Sequence, residues 1–419
     1  MDRVLVLDGE ARSALAVVRS LGRLGLEVGV AAAREGALAQ RSRFAGKALR
    51  CPAPGEEPRE FQAWLLAQVE SFRPHMLLPL SDVSLGLALE LEEELRARTV
   101  LPSVDRATFL RIADKASLLE TAAGLGLRVP RTLRIPPAPE RGPELESALR
   151  AFGYPAVLKA NWTQSARAGR FVRLAVAYPQ SALEALALLE GEGARRDLAA
   201  LLQEPIEGAG TGVFALCADG EALALFAHRR LLEKPPAGGV SVLSESLPFE
   251  AAPVQEALRL LRHYRWQGMA MVEFKRHRDG GFYLMEINPR FWGSLQLAID
   301  SGRDFPALLY QLFRSGDPLR GEKRERLVAG IPPLAAGRRL RWLLGTLDHL
   351  LIRLRQEGLR ALPGILFRND LELFRSFRKT RLEVLRRADP APFAAELRAW
   401  LRELGRGGGG GGAGAGDAE

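Results

Sequence analysis

Residues 271–290 read Met-Val-Glu-Phe-Lys-Arg-His-Arg-Asp-Gly-Gly-Phe-Tyr-Leu-Met-Glu-Ile-Asn-Pro-Arg, and no other stretch constrains the fold as strongly. Two runs that alternate apolar and polar residues flank Asp279-Gly280, a strong signal for a two-residue β-hairpin turn. With that turn, cross-strand partners sum to 559, so Glu273 faces Glu286 directly. The period of two then puts Asn288 on the face of Glu286. Opposed carboxylates repel, and burying them unpaired costs more still. A hard divalent cation, Mg²⁺ or Mn²⁺, would resolve the conflict: Glu273, Glu286 and the Asn288 carboxamide are oxygen donors suited to a metal shared with substrate phosphates. Alternatively both glutamates stay at the solvent side, paired with Arg276 or Arg290. Met271, Val272, Phe274, Leu284, Met285 and Ile287 are apolar enough to carry the hairpin inside, which favours the metal.

The chain around this hairpin is long enough for two or three domains, with 419 residues and 47% hydrophobic content. Residues 3–8 predict a buried strand, Ser13 to Leu24 a helix capped by Gly25, and Leu26 to Ala32 a second strand. His75 to Pro79 predicts another strand and Leu85 to Arg98 another helix. Strand–helix alternation at this spacing predicts a parallel α/β sheet, Rossmann-like in order. The first turn lacks G-x-G-x-x-G, which argues against a dinucleotide site. The pattern changes near Leu101-Pro102, with Asp105 and Ser117 as helix starts and Gly124-Leu-Gly126 as a stop. Pro130, Pro136, Pro137 and Pro139 suggest a stiff connector, and residues 136–144 a flexible one.

Beyond it an α+β segment follows. Strands are expected at 155–161 (with Lys159 inside), 171–177, 199–206, 213–218 and 222–230, and helices at 181–190 and 253–263. A Pro/Gly loop covers 235–239. From about 325 to 405 the pattern is helical and Arg-rich. Residues 320–406 hold 20 Lys/Arg against 10 Asp/Glu, an excess as large as the whole chain's net charge of +9. Such a region can be a solvated surface, or can meet nucleic acid or an anionic membrane. No aromatic-interleaved basic motif supports nucleic acid. Gly407 to Gly412 and the residues after them predict a disordered tail. The expected division is 1–105, 106–318, 319–405 and 406–419. Cys51 and Cys217 form no disulfide framework, and no basic-then-apolar leader opens the chain. No stretch is long and apolar enough to span a bilayer, so a cytoplasmic setting is expected.

The motifs Val-Glu273-Phe-Lys275 and Met-Glu286-Ile-Asn288-Pro-Arg290 resemble the paired metal-ligand strands of the ATP-grasp superfamily. The E-x-N-x-R form is similar to its carboxylate–amine ligase branch, typified by carbamoyl-phosphate synthase large subunits. Asp114-Lys115, Val157-Leu158-Lys159 and Leu202-Gln203-Glu204-Pro205-Ile206-Glu207-Gly208 follow in the order that family shows. The resemblance covers about residues 1–313. It implies an N-terminal Rossmann-like pre-ATP-grasp domain and two α+β lobes that clamp ATP with Mg²⁺ (or Mn²⁺), to which the chain's own pattern adds a C-terminal helical region. By the same resemblance Lys115 and Lys159 contact phosphates, against plain readings as a surface lysine and a strand-edge lysine. Gln203 to Glu207 form the adenine hinge, with the Glu204 side chain and the Ile206 backbone at the base, against a simple strand end. Arg290 meets the γ-phosphate or the acyl phosphate, against an ion pair with Glu273 or Glu286. Lys275 is a phosphate contact or a balancing charge.

Two departures stand out. The phosphate-covering loop, Asn161 to Arg170, has one glycine, Gly169, with Ser165, Arg167 and Arg170 as substitute donors. Thr211-Gly212 stands where a ribose-holding carboxylate is expected, which leaves Glu207 or nothing. His228 and Arg230 share one strand face. Arg230 is the candidate for a substrate carboxylate, Glu245 for an amine and His228 for a general base, against an exposed charged loop. The expected function is an ATP-dependent ligase joining a small-molecule carboxylate to an amine, with a homodimer possible and no nucleic acid partner. The alternatives are a non-catalytic ATP-binding scaffold and a protein acting through its basic C-terminal region.

Overall fold

The computed structural model describes residues 1–162, 165–167, 170–172, 175–191, 194–236, 238–358 and 380–406. Its first sheet is parallel. β1 (Arg3–Val6), β2 (Glu27–Ala32), β3 (Lys47–Arg50) and β4 (Met76–Leu78) lie in the order β3-β2-β1-β4. Helix Arg12–Arg23 buries Leu15, Val17, Val18 and Leu21, and helix Pro58–Phe72 covers the other face with Phe61, Leu65 and Val69. The sequence missed β3, whose four residues are half-exposed and polar at both ends. It also merged two helices, Asp82–Glu90 and Glu92–Arg96, into one.

Asp105 caps helix Arg106–Ala113, as expected, by accepting from the Thr108 N–H. The next cap is Asp114 and not Ser117: the Asp114 carboxylate accepts from the Ser117 N–H at the head of helix Lys115–Gly124. A small antiparallel sheet follows, with β5 (Thr132–Ile135), β6 (Val157–Ala160) and β9 (Ala200–Gln203) in the order β5-β9-β6. Between β6 and β9 lies the hairpin of β7 (Ser165–Arg167) and β8 (Arg170–Val172), so the expected strand 171–177 is shorter, with Ala177 bridging Leu158 singly. Gly169 of the phosphate-covering loop lies outside the described residues. The expected flexible stretch holds a short 3₁₀ turn, Ala138–Glu140, and leads into helix Glu144–Phe152.

The large sheet joins β10 (Ala209–Ala218), β11 (Glu221–Lys234), β12 (Val240–Ser246), β13 (Gly268–Arg276), β14 (Phe282–Asn288), β15 (Arg339–Arg341) and β16 (Thr380–Leu382) in the order β14-β13-β10-β11-β12-β15-β16. β12 is not among the expected strands and follows the expected Pro/Gly loop directly. β15 and β16 lie in the region expected to be helical throughout, which does supply helices Gly321–Ala329, Leu343–Glu357 and Ala391–Arg406. Two three-residue strands of alternating Arg and Leu carry too little pattern to stand out between helices. The Gly-rich tail lies outside the described residues. No helix among the described residues is long and apolar enough to cross a membrane.

Both faces of the large sheet are covered. Val213, Ala215, Val272 and Phe274 pack under helices Val254–His263 and Lys115–Gly124. Phe214, Phe226, Met269 and Met271 pack toward the first domain and helices Leu295–Asp300 and Phe305–Phe313. The apolar cover of this second face stops at Met271, and the next residues of β13 on that face are Glu273 and Lys275. The C-terminal segment is tied to the first helix by buried ion pairs, Arg12–Glu383 at 2.6 Å and Arg19–Asp389 at 2.8 Å.

Candidate functional site

The hairpin sets Glu273 opposite Glu286, but by a different route from the expected one. The His277 N–H donates to the Gly281 carbonyl at 2.8 Å, so the loop is the three residues 278–280, with Gly280 at φ +85°. This moves the partner sum to 558, as in Lys275–Tyr283. A β-bulge at Met285 then restores 559 for Glu273–Glu286 and Val272–Ile287. The register continues across the sheet, pairing Glu286, Glu273, Gly212, His228 and Ser246 in one row.

The two glutamates have separate cationic partners. Glu273 Oε2 accepts from Arg230 Nη2 at 2.6 Å, each side chain 16% exposed. Arg230 also reaches Glu233 Oε1 and the Gly239 carbonyl, both at 3.2 Å. Glu286 Oε2 lies 3.8 Å from Lys115 Nζ, and its Oε1 accepts from Asn288 Nδ2 at 3.0 Å. Burial alone would raise the Glu286 pKa, but Lys115, the Asn288 hydrogen bond, Lys159 and Arg290 outweigh it and hold the carboxyl far below its ordinary range. The sequence signalled these residues through motif and alternation.

Lys115 is buried at the first turn of its helix. That helix is fastened by Asn161, which the sequence reading did not single out: its Oδ1 accepts from the Ala116 N–H at 3.0 Å and its carbonyl from the Lys115 N–H at 3.2 Å. Lys159, on β6, has its pKa pushed down to about 8, first by burial and then by the Lys115 charge, against the pull of Glu286 and Glu273. Two lysines are thus crowded against two carboxylates.

The hinge segment divides. Gln203 is buried and donates to Thr132 Oγ1 at 2.8 Å. Glu204 Oε1 accepts from the Arg131 N–H at 2.9 Å, so its side chain braces the neighbouring strand. Pro205 is exposed and Ile206 is buried. The Ile206 carbonyl accepts from Lys275 Nζ at 3.2 Å, which makes Lys275 a link between β13 and the segment that follows β9. Glu207 is exposed and pairs with Arg278.

Arg290 pairs with neither glutamate. Its Nε and Nη2 reach Asp82 Oδ1 and Oδ2 at 3.1 and 3.2 Å, and its Nη1 the Phe291 carbonyl at 3.0 Å. Asp82 opens a first-domain helix whose Ser81 cap is itself held by Asp8. Nothing in a Ser-Asp helix start signals a partner 208 residues away.

Two expected site residues stand in closed surroundings. His228 is buried among aromatic rings, with Phe214 at 4.7 Å and Phe226 at 6.2 Å between centroids. Burial, then the Arg230 charge, depresses its pKa to about 3, and its Nδ1 has no hydrogen-bond partner among the described residues. Such enclosure disfavours the charged imidazolium. The glycine at 212 makes room for this packing: a Cβ there would strike the Phe214 ring and lie 3.0 Å from His228 Cδ2. Glu245 is paired in register with Arg229, on the sheet face opposite Arg230, and Arg229 and Arg339 hold its two oxygens at 2.6 and 2.8 Å. Its carboxylate is already taken up.

Known proteins share this arrangement of sheets. The sequence family described as "ATP-grasp in the biosynthetic pathway with Ter operon" matches residues 197–329. An L-amino acid ligase from Bacillus licheniformis superposes with a TM-score of 0.57 at 18% identity, over 80% of this chain and 78% of that one. The biotin carboxylase domain of Hydrogenobacter thermophilus 2-oxoglutarate carboxylase, solved with MgADP, ADP and bicarbonate, gives 0.58 at 14% identity over 81% and 73%. This is an ATP-grasp fold. N5-carboxyaminoimidazole synthetase from Staphylococcus aureus, complexed with ADP, shares it at 0.54 and 14% identity over 76% and 78%. At these identities the likeness is one of fold. Comparison with curated protein sequences gives no match. The family match spans β9 to β14 and stops short of β15 and β16.

Proposed function

We propose that the chain is an ATP-dependent ligase: it binds Mg·ATP between the β5-β9-β6 sheet and the β13–β14 hairpin, phosphorylates a carboxylate, and passes the acyl group to an amine or similar nucleophile. The observation that carries this reading is the directly opposed, half-buried pair Glu273 and Glu286, each beside its own cation, with Lys159 crowded against them. A site so loaded with opposed charge suits a ligand bearing both signs, as a metal triphosphate does.

The residues fit the metal. Glu286 is held ionised, as a ligand must be, and Asn288 lies within hydrogen-bond reach of it. Among the described residues no cluster of three or more His, Cys, Asp or Glu suits a metal, so phosphate oxygens would complete the set formed by Glu273, Glu286 and Asn288. Bound there, Mg²⁺ supplies charge neutralisation across the phosphate oxygens.

Lys115 and Lys159 would hold the phosphates, and the Ile206 backbone, fixed by Lys275, would meet the adenine edge. The carboxylate oxygen attacks the γ-phosphorus and ADP leaves. The amine nitrogen then attacks the acyl carbon and expels phosphate. Arg290, held by Asp82 at the end of the hairpin, stabilises charge on the transferring group. Arg230 bridges Glu273 and the Gly239 backbone, where it would orient Glu273 toward the metal. Calorimetric titration with a non-hydrolysable ATP analogue tests the reading. Micromolar binding that needs Mg²⁺, followed by acid-dependent ADP release, is expected. No binding by folded protein would refute nucleotide use, and binding without turnover on any acid would leave a non-catalytic receptor.

A further inference from the structure

Beside the charged pole lies a cavity of about 210 Å³. It is enclosed by helix Asp82–Glu90, helix Arg106–Ala113 and the end of β14. Val83, Gly86, Phe109, Ile112, Trp162 and Phe171 make its walls apolar. Its inner end is formed by Lys115, Glu286, Asn288 and Asp82, the last of which holds Arg290. Glu90 and Arg106, both exposed, stand at the outer end.

Close-packed interiors keep few voids larger than a water molecule. An apolar cavity of about 150 Å³ stays dry and binds benzene. The present one is larger and has a charged end. Gly86 shapes it: a Cβ there would sit 3.2 Å from the Phe109 ring, so a side chain at 86 would press on that ring and narrow the space. A glycine inside a helix costs about 1 kcal/mol relative to alanine, and room for a ligand is a reason to keep it. The hinge residues Gln203 to Glu207 do not line the cavity, so the adenine held there would lie elsewhere.

We infer that this cavity receives the apolar body of the carboxylic acid that the site activates, an aryl- or branched-alkyl-substituted acid about the size of 3-phenylpropionate, with its carboxylate at the Lys115–Arg290 end. The inference rests on the ligase reading for the role of that carboxylate. Trp162 and Phe171 flank the phosphate-covering loop, and the Phe171 N–H donates to the Gly55 carbonyl of the first domain at 2.8 Å. Trp162 and Phe171, near the two ends of that loop, therefore also line the acid's pocket.

The test is a ladder of acetate, butyrate, hexanoate and 3-phenylpropionate, titrated calorimetrically with and without the ATP analogue and Mg²⁺. Hydroxylamine, which traps acyl phosphates as hydroxamates, reads turnover in parallel. Each buried methylene should raise affinity about fourfold, placing 3-phenylpropionate at least about 100-fold above acetate. Gly86→Leu should remove tenfold or more of that advantage. Ala113→Leu, on a second cavity wall, should act alike should Gly86→Leu fail to fold, with unchanged analogue affinity as the check of folding. A flat ladder, competition between acid and analogue, or variants that keep the full advantage would overturn the inference. A flat ladder with intact Mg-dependent analogue binding would sink the pocket and spare the ligase reading. A rising ladder without analogue binding would sink the ligase reading and support the pocket.

Discussion

Lys159→Met should make the protein more stable and abolish its use of nucleotide. In the fold the Lys159 ammonium titrates at about 8, against an ordinary value of 10.5. A gap of about 2.5 pH units, at about 1.4 kcal/mol per unit, amounts to about 3.5 kcal/mol of penalty for keeping the charge in place. The side chain is half-buried, so solvent screening reduces this, and about 1–3 kcal/mol is the gain expected at pH 7. Met keeps the stem and removes the charge. The sign follows from linkage: the folded state binds its proton more weakly than the unfolded state. The penalty is therefore complete below pH 8 and disappears as pH rises from about 8 to 10.5. Urea denaturation of both proteins at pH 7 and pH 10.5 reads the difference. The variant should lead by about 1–3 kcal/mol at pH 7, and the two should converge at pH 10.5. A triphosphate beside the ammonium would favour the charged form, so binding at pH 9 should take up a proton in the wild type alone. A variant that is less stable at pH 7, or a difference that does not change with pH, would refute this account of the site's electrostatics.

Glu286→Gln should remove Mg-dependent analogue binding and acid-dependent ADP release and lower the urea midpoint at pH 7, because the lowered Glu286 pKa marks a stabilising charge, while the protein still folds; unchanged turnover would dismiss Glu286 as a metal ligand. His228→Phe should leave the turnover–pH profile between pH 5 and 9 unaltered, because a histidine with a pKa of about 3 has no limb there, and a lost limb would restore it as a proton carrier. Asp389→Ala strands the buried Arg19 guanidinium and should cost about 3–5 kcal/mol in chemical denaturation. The Asp389 pKa is lowered, burial being outweighed by Arg19, the Arg43 N–H and Ser42, so the wild type should lose this stability only as pH falls below about 4.

The glutamate pair was legible because two local rules, strand alternation and turn chemistry, act within sixteen residues. Even there the turn was read too short, and Met285 hid the error: the bulge that lengthens β14 compensates for the extra loop residue. Lys115 and Lys159 carried weak motifs, and their meeting with Glu286 depends on three separate segments. What stayed hidden was long-range. Asp82 joins Arg290 across two domains, and β15 and β16 become strands by pairing with residues far away in sequence. The burial of His228 was hidden because Arg229 and Arg230 beside it suggest an exposed strand end. The rings of Phe214 and Phe226 reach it from the neighbouring strand and its own, and local sequence does not reveal that enclosure.

Arg19 sits in the first helix, and its carboxylate partner is 370 residues further on. At the usual pace of synthesis, about 5–20 residues per second, the first domain waits roughly 20 to 70 s on the ribosome with a charged side chain that its finished form buries completely. The first domain can settle its strands early, but the slot around Arg19 closes only when the last part of the chain arrives. Late arrival of that segment makes the closing of the Arg19 slot on Asp389 a late step in folding.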